Sequence, residues 1–151
     1  MKPRARITLG SIRGKRLEWC FYVVTELDST SLYVMRRHSE NGLGHIYGVA
    51  PEVVAKAAEY FGDQLRSVDA ALLDGRRYIC GDRFTSADIL LTTCLEWALD
   101  YRVPVCASAL QYLEGIRQRS AFQIAKTVNS PRREGEPLMR RIGATGILPQ
   151  V

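Results

Sequence analysis

No Cys-x-x-Cys pair, no period-two alternation long enough for a strand, and no internal repeat occur in this 151-residue chain. The first absence removes the commonest redox and zinc spacings. The second argues against a sheet and the third against a solenoid. Histidine is scarce: His38 and His45 stand at no ligand spacing from Cys20, Cys80, Cys94 or Cys106. No metal and no cofactor is expected, and the four cysteines read as reduced, mostly buried thiols. Cys106, just after Pro104 near a helix start, is the one thiol whose pKa a helix dipole would lower. The longest apolar runs stop well short of the roughly 18 residues a membrane span needs. The N-terminus is basic but lacks the apolar stretch and small-residue cleavage site of a secretory signal. The expectation is a cytoplasmic protein with no membrane partner.

Acidic residues are missing from one end. Residues 1–16 carry six cations and no acid, residues 130–151 carry four cations and two acids, and 17–129 hold 11 cations against 14 acids. The overall charge of +5 therefore sits in the two ends. Basic ends suit nucleic acid, but solvated tails are commoner, and nucleic acid is not the expected partner. A salt-sensitive affinity abolished by removing residues 1–16 would mark that case.

What is present is helical periodicity. With 46% apolar and 25% charged residues, the composition suits one globular domain. Leu17, Cys20, Phe21, Val24, Leu27, Ser31, Val34 and Met35 recur at three- and four-residue steps, predicting a first helix over 17–38. Its other face carries Trp19, Tyr22, Glu26, Ser29, Thr30, Tyr33 and Arg37. Residues 39–48 read as a loop. Pro51 opens a second helix to about Leu73, with Val54, Ala57, Ala58, Phe61, Leu65, Val68 and Leu72 inward and Gly75 as a left-handed cap. A third helix covers about 86–101. Pro104 opens a fourth to about 118, with Leu110, Leu113 and Ile116 inward, and Ser120 caps a fifth over 121–128. From Ser130 no period survives, which predicts a flexible basic tail. The expected organisation is a basic arm (1–16), a helical domain (17–129) and that tail (130–151). The fold class is all-α, a bundle of about five helices.

The most specific signal is Gly81-Asp-Arg-Phe-Thr-Ser-Ala-Asp-Ile-Leu-Leu91. Thr85 is placed to cap the third helix and Asp88 to reach back to its backbone N–H, a capping box. Phe84 and Ile89 have the spacing of a hydrophobic staple. A hydroxyl and a carboxylate at a loop–helix junction resemble a catalytic pair, but capping accounts for both.

These residues resemble the start of the core helix in the C-terminal, all-helical domain of glutathione S-transferases. The resemblance extends over most of 17–128. It takes in Glu18-Trp-Cys-Phe-Tyr-Val-Val-Thr-Glu-Leu-Asp28, the alanine-rich second helix, and Leu110-Gln-Tyr-Leu-Glu-Gly-Ile-Arg-Gln-Arg-Ser-Ala-Phe-Gln123. Where the family often has Arg-Pro, Arg119-Ser120 stands here. The resemblance implies a detoxifying transferase whose thioredoxin-like half, the part that binds glutathione and supplies the catalytic Ser, Tyr or Cys, is not expected in these residues. Catalytic residues are accordingly none, and glutathione would act as co-substrate only with that half supplied. The resemblance further implies that Tyr22, Glu26, Thr30, Tyr33 and Trp97 border the pocket for a small hydrophobic electrophile, with Tyr101 near it. Glu26 or Asp28 would touch the glutathione amine in a partner subunit. The expected partner is a second copy, or another protein covering the exposed interdomain face. A non-catalytic helical interaction module is the alternative.

Overall fold

Helix runs unbroken from Leu9 to His38, but not with one pitch. α1 (Leu9–Tyr22) passes into a π-helical segment (Val23–Leu32) and then into α2 (Tyr33–His38). The computed structural model describes residues 9–129; residues 1–8 of the expected arm and the whole expected tail lie outside them. The helix thus starts at Leu9 rather than Leu17. Two hydroxyls mark the wide turns: Thr30 donates to the Thr25 carbonyl and Ser31 to that of Glu26, both at 2.7 Å and both five residues back. A π turn takes up more residues than the 3.6 of an α-helix, so the inward position drifts along the sequence. Val23, Leu27, Ser31, Leu32 and Met35 are buried. Leu17, Phe21 and Val24, expected inward, are 44%, 68% and 38% exposed.

α3 (Gly44–Tyr47) is a single turn within the expected loop. α4 (Pro51–Leu72) begins on its proline, where the missing N–H has no intrahelical partner to lose. Ala57, Phe61, Leu65, Val68 and Leu72 form its buried stripe, while Val54 and Ala58 are half-buried. The π segment packs against both α4 and α5 (Ser86–Asp100), while α1 packs on the π segment and α5 and reaches α4 through Tyr22 at its end. That thin coverage is why the outer stripe of α1 stays exposed.

Between α4 and α5 the chain turns twice on glycine. Gly75 has φ +73°, the left-handed conformation that costs glycine nothing. The Asp74 carboxylate accepts from Arg76 N (3.0 Å) and Nε (2.8 Å), and Arg76 holds it down to about 2. Tyr78 and Gly81 then exchange two backbone bonds of 3.0 and 2.8 Å, with Gly81 at φ +115°. This tight turn buries Tyr78 and Ile79 and aims the chain into the cap of α5.

α5 ends in a Schellman arrangement. Arg102 N–H donates to the Leu99 carbonyl (3.0 Å) and Val103 N–H to that of Ala98 (2.8 Å). Arg102 is left-handed, at φ +58°, a conformation that strains any residue with a Cβ. Arg102→Gly is therefore expected to raise stability by up to about 1 kcal/mol, seen as a higher urea midpoint at an unchanged slope.

Two compact units divide at residue 113, the first ending at Leu113 and the second starting at Glu114. α6 (Ala107–Arg117) crosses that boundary and starts three residues after Pro104. Leu113 and Ile116 are buried as expected, but Leu110 is exposed and Ala109 and Tyr112 are inward. In the second unit, α7 (Ser120–Asn129) has no fully buried residue. Gln123 joins it to the preceding turn through backbone N to Arg119 O (3.1 Å) and Nε2 to Arg117 O (2.5 Å). The described architecture is all-α, and no described helix is long and apolar enough to cross a membrane.

Candidate functional site

Tyr22 and Glu26 lie one turn apart where α1 becomes π-helical, and both engage α4. The Tyr22 hydroxyl sits 2.8 Å from the Gln64 carbonyl and 3.0 Å from its Oε1. The Tyr60 hydroxyl donates to Glu26 Oε2, and this bond, with some desolvation, raises the Tyr60 pKa. Thr25 donates to the other Glu26 oxygen at 3.2 Å. Trp19 packs edge-on against Tyr22, centroids 5.6 Å apart. The result is a half-buried strip of aromatic rings and acceptors with one carboxylate. Tyr60 and Gln64 were not singled out from the sequence. Their signal was positional: each directly precedes an inward residue, Phe61 or Leu65, and so flanks the buried stripe of α4.

The other expected pocket residues fall elsewhere. The Thr30 hydroxyl is turned back on its own backbone. Tyr33 is 39% exposed, with the Arg37 guanidinium 5.9 Å from its ring and 4.1 Å from that of Tyr47. Trp97 lies in a cavity of about 280 Å³ with Arg36, Asp100 and Tyr101. The Arg36 guanidinium stands 5.7 Å from the Trp97 ring centroid, within cation–π range. Burial raises the Tyr101 hydroxyl, with Arg36 opposing. Along the long helix Arg36 is on the order of 20 Å from Tyr22, so the expected residues form two groups. This bowl combines two aromatic rings with one cation, Arg36, and one carboxylate, Asp100.

Asp28, half-buried, has its pKa raised by desolvation. A further cavity of about 300 Å³ lies between α4 and the start of α6, lined by Arg66, Asp69 and Cys106 among others. There the Ser108 hydroxyl donates to Asp69, and Cys106 Sγ is 3.4 Å from Ser108 Oγ. Among the described residues no group of three or more His, Cys, Asp or Glu side chains is arranged to hold a metal ion. Cys94 is buried on α5, and desolvation pushes its thiol up to about 12.

At the start of α5, Thr85 and Asp88 form a closed capping box. Thr85 N–H donates to Asp88 Oδ2 at 2.7 Å, and the Thr85 hydroxyl accepts from Ala87 N–H at 3.2 Å. Phe84 packs edge-on against Tyr78 at 5.5 Å, while Ile89, its expected staple partner, is 56% exposed. One turn before Ile89, Ser86 Oγ lies 3.3 Å from Cys20 Sγ on α1. The exposed residues Leu17 and Phe21 on α1 and Val24 in the π segment lie on either side of Cys20 in sequence. Ile89 is likewise exposed, on α5.

Residues 51–122 match the family model described as glutathione S-transferase, C-terminal domain. The chain is 33% identical over 109 residues to glutathione S-transferase GstA of Escherichia coli O157:H7, covering 72% of this chain and 48% of that protein. The crystal structure of a glutathione S-transferase domain-containing protein from Marinobacter aquaeolei VT8 superposes with a TM-score of 0.65 at 19% identity, covering 81% of this chain and 61% of that one. The chain thus spans about half the length of the curated relative it matches. It carries a helical C-terminal domain of the glutathione S-transferase family.

Proposed function

We propose that this domain is the electrophile-binding and subunit-contact half of a glutathione S-transferase, and that conjugation requires a thioredoxin-like, glutathione-binding domain on the same or another polypeptide. The observation that carries this reading is the run of exposed apolar side chains Leu17, Phe21 and Val24 along one face of the first long helix. Domain interfaces within a chain bury roughly 600–1,500 Å², and exposed apolar side chains along one helix face suit such a partner. The chemistry of the described thiols supports the requirement for a second domain. Lowering the pKa of a thiol by two units takes roughly 2.7 kcal/mol of preferential thiolate stabilisation. Cys80 and Cys94 are instead displaced toward the neutral thiol, each chiefly by burial.

In this reading the Arg36–Trp97–Tyr101 bowl holds the acceptor, and the Tyr22–Glu26–Tyr60 strip contacts a second subunit. The test uses the 151-residue chain on immobilised glutathione and in an aryl-halide conjugation assay. The chain alone should show no retention and no conjugation above the uncatalysed rate. Adding the thioredoxin-like half of a bacterial relative should restore both. Retention and turnover by the chain alone would overturn the proposal. A purely docking module, the second reading, would bind that half through the same stripe and restore no turnover.

A further inference from the structure

We infer that Cys20 and Cys80 form a redox-active dithiol, which reduces a low-molecular-weight disulfide and closes into a protein disulfide across the start of α5. The placement is specific. Cys20 Sγ lies 3.3 Å from Ser86 Oγ, and the Thr85 hydroxyl lies 3.8 Å from Cys80 Sγ. Thr85 and Ser86 are consecutive residues at one helix start. Two cysteines far apart in sequence therefore rest on neighbouring hydroxyls of a single cap. The pair also interacts electrostatically: Cys80 senses both Cys20 and Arg16, the residue one turn before Cys20 on α1. Both thiols are half-buried, unlike the enclosed Cys94.

The chemistry balances without a further oxidant. The Cys20 thiolate attacks one sulfur of the small disulfide; that S–S bond breaks, and the departing thiolate takes up a proton. The Cys80 thiolate then attacks the Cys20 sulfur of the mixed disulfide and expels the second small thiol. Two protein thiols and one small disulfide become one protein disulfide and two small thiols. Cys20 is the first nucleophile because burial holds the Cys80 thiol up, with the Thr85 hydroxyl opposing and the Asp88 charge adding. Closing the bond requires the sulfurs to leave their hydroxyl partners and meet at about 2.05 Å. Neither contact is a strong hydrogen bond, so each sulfur gives up its hydroxyl readily. The closed form ties α1 to the Tyr78–Gly81 turn.

This inference needs no second domain, so its test is independent of the one above. The reduced 151-residue chain is incubated with glutathione disulfide, and released glutathione, intact mass and a non-reduced peptide map are recorded. The parent should release two glutathiones per chain and yield a peptide joining Cys20 to Cys80. Cys80→Ser should stop at a mixed disulfide on Cys20, releasing one. Cys20→Ser should form no protein disulfide, whereas Cys94→Ser and Cys106→Ser should behave as the parent. If a serine variant unfolds, the parent's map decides alone. A parent that stops at the mixed disulfide, stays reduced, or joins other cysteines would overturn the inference.

Discussion

Asp88→Ala is expected to lower the unfolding free energy by roughly 3–5 kcal/mol, the cost of removing the centre of a buried network. The Asp88 side chain is fully buried, and four donors converge on it. Ile79 N–H and the Tyr112 hydroxyl reach Oδ1, each at 2.8 Å. Thr85 N–H and the Thr85 hydroxyl reach Oδ2 at 2.7 and 3.0 Å. The capping box accounts for only half of this. The other half ties the Tyr78–Gly81 turn and α6 to the first turn of α5. Burial and the Asp88 charge together raise the Tyr112 hydroxyl well above its ordinary range, so that hydroxyl remains a donor. Truncation to alanine strands these donors out of water, where each unsatisfied group costs about 1–3 kcal/mol. Thr85→Ala, which removes the cap but leaves the carboxylate, should cost only about 1 kcal/mol. Tyr112→Phe should fall between the two. Urea unfolding of the three variants supplies the order. An Asp88→Ala protein within 1 kcal/mol of the parent would mean that the network does not hold the fold.

That gradient marks what the sequence could and could not convey. Capping is local: Thr85, Asp88 and Gly75 lie within a few residues of the groups they satisfy, so their types and spacing suffice. α4 was legible for the same reason, because five of its seven expected inward residues keep a strict α-helical period and are buried. The first helix was legible only in part, since Leu27, Ser31 and Met35 are buried as expected but Leu17, Phe21 and Val24 are not. A π segment leaves no mark in composition, and a reader applying a 3.6-residue period is carried onto Val24 where Val23 is the buried residue. Cross-helix partners were equally hidden. Nothing near Glu26 in sequence names Tyr60, and nothing near Trp97 names Arg36. The family resemblance indicated which helices border a pocket, but not that Tyr22 and Trp97 would fall into separate groups.

Phe61→Ala and Phe21→Ala delete the same atoms from the two helices and should differ by several kcal/mol. Phe61 is fully buried in the stripe of α4, against which the π segment packs. Its removal forfeits the transfer free energy of the ring and leaves a cavity that rigid helices fill only in part. The expected loss is about 3–5 kcal/mol, a large fraction of the roughly 5–15 kcal/mol that holds a typical domain folded. Phe21 also reads as inward from its helical spacing, yet it is 68% exposed. Its replacement should change stability by no more than about 0.5 kcal/mol. Urea unfolding of the isolated chain separates the two directly, and equal losses would place Phe21 in the core and restore an α-helical register. The surface role of Phe21 should appear in a different measurement. If the α1 stripe packs against a glutathione-binding domain, Phe21→Ala should weaken association with that domain and leave the melt of the isolated chain unchanged. Phe61→Ala should do the reverse, destabilising the chain while sparing the stripe in the fraction that remains folded. An interface residue and a core residue of identical chemistry are thereby distinguished by which equilibrium each one moves.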